Sequence, residues 1–399
     1  MNGPYSPCPL GERVHWVGAI DWALRTFHGY ATPRGSTYNA FLVRGGEKTA
    51  LIDTVKAPFK EEMLSRIAKV MPPGEIDYIV SNHAEMDHSG ALPEMIELVK
   101  PEKVVASAAG VKALAQHFEG LQGITAVGDG DTLDLGGLTL HFTETKMLHW
   151  PESMVTWTPE ERILFSQDIY GSHLATGERF DDEVDQAVLD QEAAKYYANI
   201  VMPYGKAATK AVEKIGGLDI DWKIVACDHG PMWRTRIKDI FERYHAWGDR
   251  KRTRKAIILY DTMWGSTETL ARVLAEGLIA GGASVKVMPV DGTHRSDVAT
   301  ELLDAGALLV GAPTLNSQLY PSLADILSYI KGLRPGRLLG LAFGSHGWAG
   351  HSVKQIKEYL AAMNFELVEG DLDAQYVPGE ALLQQASDLG KQVAARLKP

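Results

Sequence analysis

The sequence predicts an α/β protein of two domains, an αββα sandwich followed by a doubly wound parallel sheet. Three observations carry this. The 399 residues exceed what a single ordinary core holds. In the N-terminal part many apolar strand-like runs, with helices interleaved, end in a histidine or a carboxylate. After a basic run at 248–255, strands and helices alternate, which is the pattern of a parallel sheet with crossover helices. The run itself reads as a solvated connector rather than a nucleic-acid arm. The expected domains are residues 1–250 and 251–399.

The first domain opens with strand patterns at 14–20, 38–43 and 49–53, the last ending in Asp53. Residues 57–70 have helical spacing, with Phe59, Met63, Ile67 and Val70 on one face. The apolar run 76–80 is a buried strand, and 91–99 is an amphipathic helix with Pro93 in its first turn. A strand at 103–106, a helix at 111–118, a turn–strand–turn at 127–137 and a strand at 138–145 follow. A hairpin is expected from 154–158 and 162–166, then helices at 187–200 and 206–216, a strand at 222–227 and a helix at 234–247. In the second domain, strands fall at 256–260, 284–290, 307–311 and 338–344. Helices fall at 269–280 and around 296–304, 322–331, 351–363 and 379–396.

Composition excludes several classes. Hydrophobic content is 45% and charged content 23%, ordinary for a globular protein. No apolar run approaches the ~18 residues of a membrane span, and the N-terminus has no secretory pattern. Two cysteines, Cys8 and Cys227, give no disulfide framework and fit a reducing cytoplasm. A net charge of −11 argues against a nucleic-acid backbone as partner.

The segment between the strand at 76–80 and the helix at 91–99 is the chemical centre. It reads His83-x-Glu85-x-Asp87-His88, four metal-binding side chains in six residues at a strand end. Three later strand ends offer further donors: His149, Asp168 and His229. Four imidazoles and three carboxylates are too many for one metal and natural for two. The expected division gives one metal His83, Glu85 and His149 and the other Asp87, His88 and His229, with Asp168 as the bridge. The set holds no thiolate; mixed nitrogen and oxygen donors suit iron, and zinc would accept them too.

These ligands, with Asp53 and the Gly128-Asp129-Gly130-Asp131-Thr132-Leu133 stretch, resemble the metallo-β-lactamase superfamily. Hydrolases of that superfamily commonly place histidine where this chain has Glu85. The hard oxygen donor shifts the preference toward iron.

The loops after the later strands carry a second resemblance. Asp261-Thr262-Met263-Trp264-Gly265-Ser266-Thr267 is rich in hydroxyls and opens a helix, which suits a phosphate without a lysine. It has neither a Walker lysine nor the dinucleotide glycine pattern. The following loops are Pro313-Thr314-Leu315-Asn316 and Ser345-His346-Gly347-Trp348. Together they are similar to the FMN-binding loops of flavodoxins, and Thr262 to Thr267 fits the T-x-x-x-x-T pattern. The resemblance places the phosphate on Met263–Thr267 and the isoalloxazine against the other two loops. Trp264 and Trp348 either stack on the ring or pack in an interface.

A metallo-β-lactamase-like half followed by a flavodoxin-like half resembles the flavodiiron proteins over nearly the whole chain, in a two-domain form without a fused rubredoxin. The resemblance implies two non-haem irons, FMN, and reduction of nitric oxide to nitrous oxide or of dioxygen to water in an anaerobe or microaerophile. It also implies a rubredoxin-like electron donor and a head-to-tail homodimer or dimer of dimers. His28 resembles a family histidine near the substrate pocket, and Tyr204 is a further candidate for proton donation there. The competing readings are a dinuclear zinc hydrolase fused to a flavodoxin-like electron-transfer or regulatory domain, and an electron carrier with a vestigial metal site.

Overall fold

The computed structural model describes residues 3–398. Met1, Asn2 and Pro399, the outer ends of the two expected domains, lie outside the described residues. The chain forms two compact units, Met1–Tyr197 with Lys206–His245, and Ala198–Gly205 with Ala246–Pro399.

The first unit holds two sheets face to face. The seven-stranded sheet runs Cys8–Pro9, Val14–Trp16, Phe41–Arg44, Thr49–Ile52, Tyr78–Ser81, Lys103–Ser107, Ile124–Val127. The five-stranded sheet runs Thr132–Asp134, Thr139–Glu144, Met154–Thr158, Ile163–Gln167, Ile224–Cys227. Strand alternation explains the layers. Phe41, Val43, Ala50, Ile52, Val80 and Val105 point one way and pack with Leu140, Phe142, Met154, Phe165 and Ala226 of the other sheet. Their neighbours Leu42, Leu51, Ile79 and Val104 point the opposite way, against Met63 and Ile67 of the helix Lys60–Val70 and Met95 of the helix Leu92–Val99. The central strands Thr49–Ile52, Tyr78–Ser81, Ile163–Gln167 and Ile224–Cys227 are therefore buried on both faces, and their carboxyl ends are where polar side chains can emerge.

Several elements differ from the sequence expectation. The strand pattern at 14–20 is broken into Val14–Trp16 and Ala19–Asp21, because the second piece leaves the large sheet to pair with Ser36–Tyr38. The helix expected at 187–200 runs Gln186–Tyr196 and then widens into a π turn at Tyr197–Val201. Asp185 caps it, accepting from the amides of Ala187 and Val188.

The second unit is a fully parallel sheet in the order Ser284–Pro289, Lys255–Tyr260, Ala307–Pro313, Leu339–His346. Two short strands, Glu366–Leu367 and Leu372–Gln375, complete the far edge, both pairing with Leu339–His346. Ile257, Leu259, Leu308 and Val310 face the helices Pro321–Leu333 and Ser352–Ala362. Ile258, Leu309, Leu341 and Phe343 face Ser266–Ala280 and Glu380–Arg396. The strand order reverses between Lys255–Tyr260 and Ala307–Pro313, so a crevice opens at their carboxyl ends, where such sheets bind ligands. Among the described residues no helix is long and apolar enough to cross a membrane.

Candidate metal centre and cofactor cavity

The buried strand Tyr78–Ser81 ends at Asn82, which is clamped by three hydrogen bonds to Asp53 and Thr156. Its amide and side-chain nitrogen donate to the two oxygens of Asp53 at 2.7 and 2.8 Å, and its Oδ1 accepts from Thr156 Oγ1 at 2.7 Å. Beyond it the chain makes a single short helix, Met86–Ser89, which turns Asp87 and His88 inward. Gly90 lets this turn sit tightly. A Cβ there would meet the Met86 carbonyl oxygen and lie 2.8 Å from the Ala57 amide nitrogen.

The seven donors form two groups. In the first, His83 Nε2 lies 3.2 Å from Glu85 Oε2 and 3.3 Å from His149 Nε2. His149 Nε2 lies 3.1 Å from Glu85 Oε2 and 3.0 Å from Asp168 Oδ2. In the second, His88 Nε2 lies 3.4 Å from Asp87 Oδ1, and His229 Nε2 lies 3.3 Å from Asp87 Oδ2. Asp168 Oδ1 is 3.0 Å from His88 Nε2 and 3.4 Å from His229 Nε2. Donors at about 2.0–2.2 Å from a common ion lie about this far from one another. Asp168 thus presents one oxygen to each group.

Ring orientation is set from outside. His83 Nδ1 donates to Glu152 Oε1 at 2.8 Å, and His229 Nδ1 donates to the Thr37 carbonyl at 2.6 Å. His88 Nδ1 lies 3.3 Å from Asp228 Oδ2. Each arrangement leaves Nε2 for the centre, as metal-binding histidines require. Gln167 holds the Asp168 and His149 loops together, donating to the Leu148 carbonyl at 2.7 Å and accepting from the Asp168 amide at 2.6 Å.

The electrostatics call for cations. Burial alone would raise the Asp168 carboxyl, but the imidazoles of His88 and His229 hold it well below the usual range. Burial would lower His83, yet Glu152, Glu85 and Asp168 push it up to about 10. His88 is driven well above its ordinary value against its burial by Asp87 and Asp168. Both oxygens of Asp87, Oδ1 of Asp168 and Nε2 of His88 are fully buried and lack a hydrogen-bond partner among the described residues. Orphaned buried carboxylate oxygens are costly unless a cation meets them, so the residues present fit a pair of metal ions.

Ser36, His173 and Tyr196, which the sequence did not single out, sit beside His229. His173 Nδ1 is 2.8 Å from Ser36 Oγ, and its ring stacks edge-on against His229 at 4.7 Å. Burial, then the neighbouring His229, keeps it well below the usual histidine value. The Tyr196 ring lies 5.9 Å from that of His229. Tyr204 is half-buried in the turn Met202–Tyr204, which groups with the second unit. His28 stands at the exposed side of the first group. It sits on the small hairpin Thr26–Phe27/Tyr30–Ala31, with Nε2 3.0 Å from Glu85 Oε1 and 73% of its side chain exposed.

In the second unit a cavity of about 590 Å³ opens at the crevice. Met263, Trp264 and Ser266 line one side. Pro313, Thr314, Leu315 and Asn316 line another, and Ser345, His346, Gly347 and Trp348 a third. Thr262, Gly265 and Thr267 do not line it; they shape its wall. Gly265 adopts φ 84° and its amide donates to Thr262 Oγ1, while Thr267 Oγ1 is 2.9 Å from Ser345 Oγ. The left-handed φ is one that glycine alone adopts cheaply, and it aims the first turn of Ser266–Ala280 at the cavity. Trp264 and Trp348 are 93% and 91% exposed, so neither packs into the interior of its own unit. Tyr376 and Val377 also line the cavity, and no sequence motif marked them. A hydroxyl-bearing helix start beside an apolar, aromatic-rimmed cavity fits a phosphorylated ring cofactor.

Residues 37–230 match the family described as ODP family beta lactamase, and residues 258–390 match the flavodoxin family. A nitric oxide reductase of Moorella thermoacetica is 42% identical over 395 residues, covering 98% of this chain and 99% of its own. The structure of rubredoxin oxygen:oxidoreductase from Desulfovibrio gigas superposes with a TM-score of 0.94 at 43% identity, covering 98% of each chain. That of the flavodiiron protein from Giardia intestinalis does so with a TM-score of 0.94 at 31% identity, covering 99% of this chain and 98% of its own. With this fold order and these likenesses over its full length, the chain belongs to the flavodiiron protein family.

Proposed function

We propose that the chain is an oxidoreductase that passes electrons through FMN to a non-haem diiron centre. There it reduces nitric oxide to nitrous oxide, dioxygen to water, or both. The observation that carries this is Asp168, whose two oxygens each reach a different donor group. His83, Glu85 and His149 would hold one iron and Asp87, His88 and His229 the other. When bound, the flavin and the iron pair supply two electrons each, the four that dioxygen needs to become two waters. The names of the relatives, nitric oxide reductase and rubredoxin-oxygen oxidoreductase, support both substrates and an iron–sulfur donor of the rubredoxin class.

The chain's own residues have three tasks. The carboxylates of Glu85, Asp87 and Asp168 neutralise cationic charge in a buried site. Glu152 and the Thr37 carbonyl hold His83 and His229 with Nε2 inward. His28 links solvent to the site through Glu85, and both reactions consume protons: four with four electrons for each dioxygen, two with two electrons for each pair of nitric oxide molecules. A head-to-tail dimer, or a dimer of dimers, would set one subunit's flavin beside the partner's metals, and a cytoplasmic setting suits a chain with so few cysteines.

The test is anaerobic. The chemically reduced protein is given each gas in turn, with iron, zinc and FMN measured on the same sample. Gas consumption with two irons and one FMN per chain supports the reading. Two zincs without gas consumption sink it in favour of a hydrolase. Activity retained by an obligate monomer refutes the dimer.

A further inference from the structure

The cavity of the second unit has an uneven charge inventory. None of the residues lining it is Lys, Arg, Asp or Glu. His346 is the one lining side chain able to carry positive charge near neutral pH, and Tyr376 is the other titratable group. His346 ends the strand Leu339–His346. On the adjacent strand Leu372–Gln375, Asp373 Oδ1 lies 2.9 Å from His346 Nδ1, and both side chains are mostly buried. Holding Nδ1–H on a carboxylate leaves Nε2 as the basic nitrogen, and no hydrogen bond within the described residues engages it.

The loop Pro313–Asn316 and the first residues of Ser266–Ala280 present only uncharged side chains to the cavity, and His351 does not line it. Of the titratable groups, Asp373 contacts His346 and Tyr376 lines the same cavity.

We infer that His346, anchored by Asp373, takes up a proton when the flavin is reduced and thereby sets how strongly the cavity favours the reduced cofactor. This rests on FMN occupying the cavity. Two electrons and one proton, the proton added at N5, convert FMN to an anionic reduced flavin. The added charge sits beside walls with no fixed cation, which is unfavourable in a partly dehydrated site. With His346 neutral the pair carries the negative charge of Asp373 and repels the reduced ring. A second proton on His346 Nε2 makes the pair neutral overall. The balance is two electrons from a one-electron iron–sulfur donor acting twice, or from dithionite in vitro, and two protons from solvent. One proton ends on the flavin and one on the imidazole.

The experiment uses the full-length FMN-loaded protein, titrated spectroelectrochemically under argon across neutral pH, with FMN content measured on each sample. The wild type should take up about two protons per two electrons, and His346→Gln about one. In that variant reduced FMN should bind about tenfold more weakly relative to oxidised FMN, which is ~30 mV in the two-electron potential. Asp373→Asn should shift the potential the opposite way, because it removes the repelling carboxylate. Unchanged proton uptake in His346→Gln and an unmoved potential in Asp373→Asn, with FMN bound in both, would overturn the inference. A wild type that binds no FMN would overturn the cavity's assignment itself, and the inference with it.

Discussion

Replacing Glu152 by Gln tests whether the metal centre is held from outside its ligands. Glu152 is 3% exposed, and one of its oxygens accepts both His83 Nδ1 at 2.8 Å and the Ala84 amide at 3.0 Å. Gln keeps the shape and one acceptor but loses the charge, so His83 is no longer drawn to present Nε2 as a strong donor. Losing an outer partner of a ligating histidine costs about 10–100-fold in metal affinity. That is ~1.4–2.7 kcal/mol, close to the ~1.5–3 kcal/mol of one charged hydrogen bond. The loss should fall on the metal held by His83, Glu85 and His149. The group built on Asp87, His88 and His229, which Glu152 does not touch, should retain its ion. Stepwise removal by a chelator, followed by metal analysis, reads the two apart. Equal affinity at both positions in Glu152→Gln, with the fold intact by circular dichroism, would refute the orienting role.

Gly90→Ala forces a methyl against the Met86 carbonyl and the Ala57 amide, neither of which can swing away. It should lower stability by about 1–3 kcal/mol in denaturant titrations and reduce metal content. Tyr196→Phe removes a buried hydroxyl that has no hydrogen-bond partner among the described residues, so its melting temperature should be equal or higher. Turnover lost at unchanged stability would assign that hydroxyl to the reaction. Asp190 accepts from Arg236 Nη1 at 2.8 Å and Arg243 Nη2 at 3.0 Å. Burial would raise this carboxyl, but Arg243 and Arg236 outweigh it and hold it low. Because the folded value is depressed, the pair's contribution is complete above the ordinary carboxylate range of about pH 4 and disappears as pH falls through the folded value. Asp190→Asn should therefore be less stable at neutral pH and lose less on acidification. Thermal melts across that window check it.

The metal-binding residues were legible because each stands at the end of an apolar strand, and four of them share one short segment. Periodicity and composition expose such positions without any knowledge of packing. The partners that orient them were not legible. Glu152 meets His83 across 69 positions of sequence, and the Thr37 carbonyl meets His229 across 192. Nothing local distinguishes Glu152 from any other acidic residue after a turn. The tyrosine rings beside His229, those of Tyr38 and of Tyr196 one position before the helix opens into its π turn, were not marked as site residues either. The split edge strands Glu366–Leu367 and Leu372–Gln375 were also missed. They are too short to show alternation, and one of them carries Asp373.

By itself, the sequence determined the two α/β halves, the strand ends that carry ligands, and the chemistry of a sulfur-free donor set with Glu85 in it. These follow from side-chain type and spacing along one chain. Only the tertiary structure decided that Glu152 and Asp228 stand behind the imidazoles, and that Asp373 lies beside His346. The first two pairings bring together loops far apart in sequence; the last depends on the register of Leu372–Gln375 against Leu339–His346, where a shift of one residue would turn Asp373 to the opposite face.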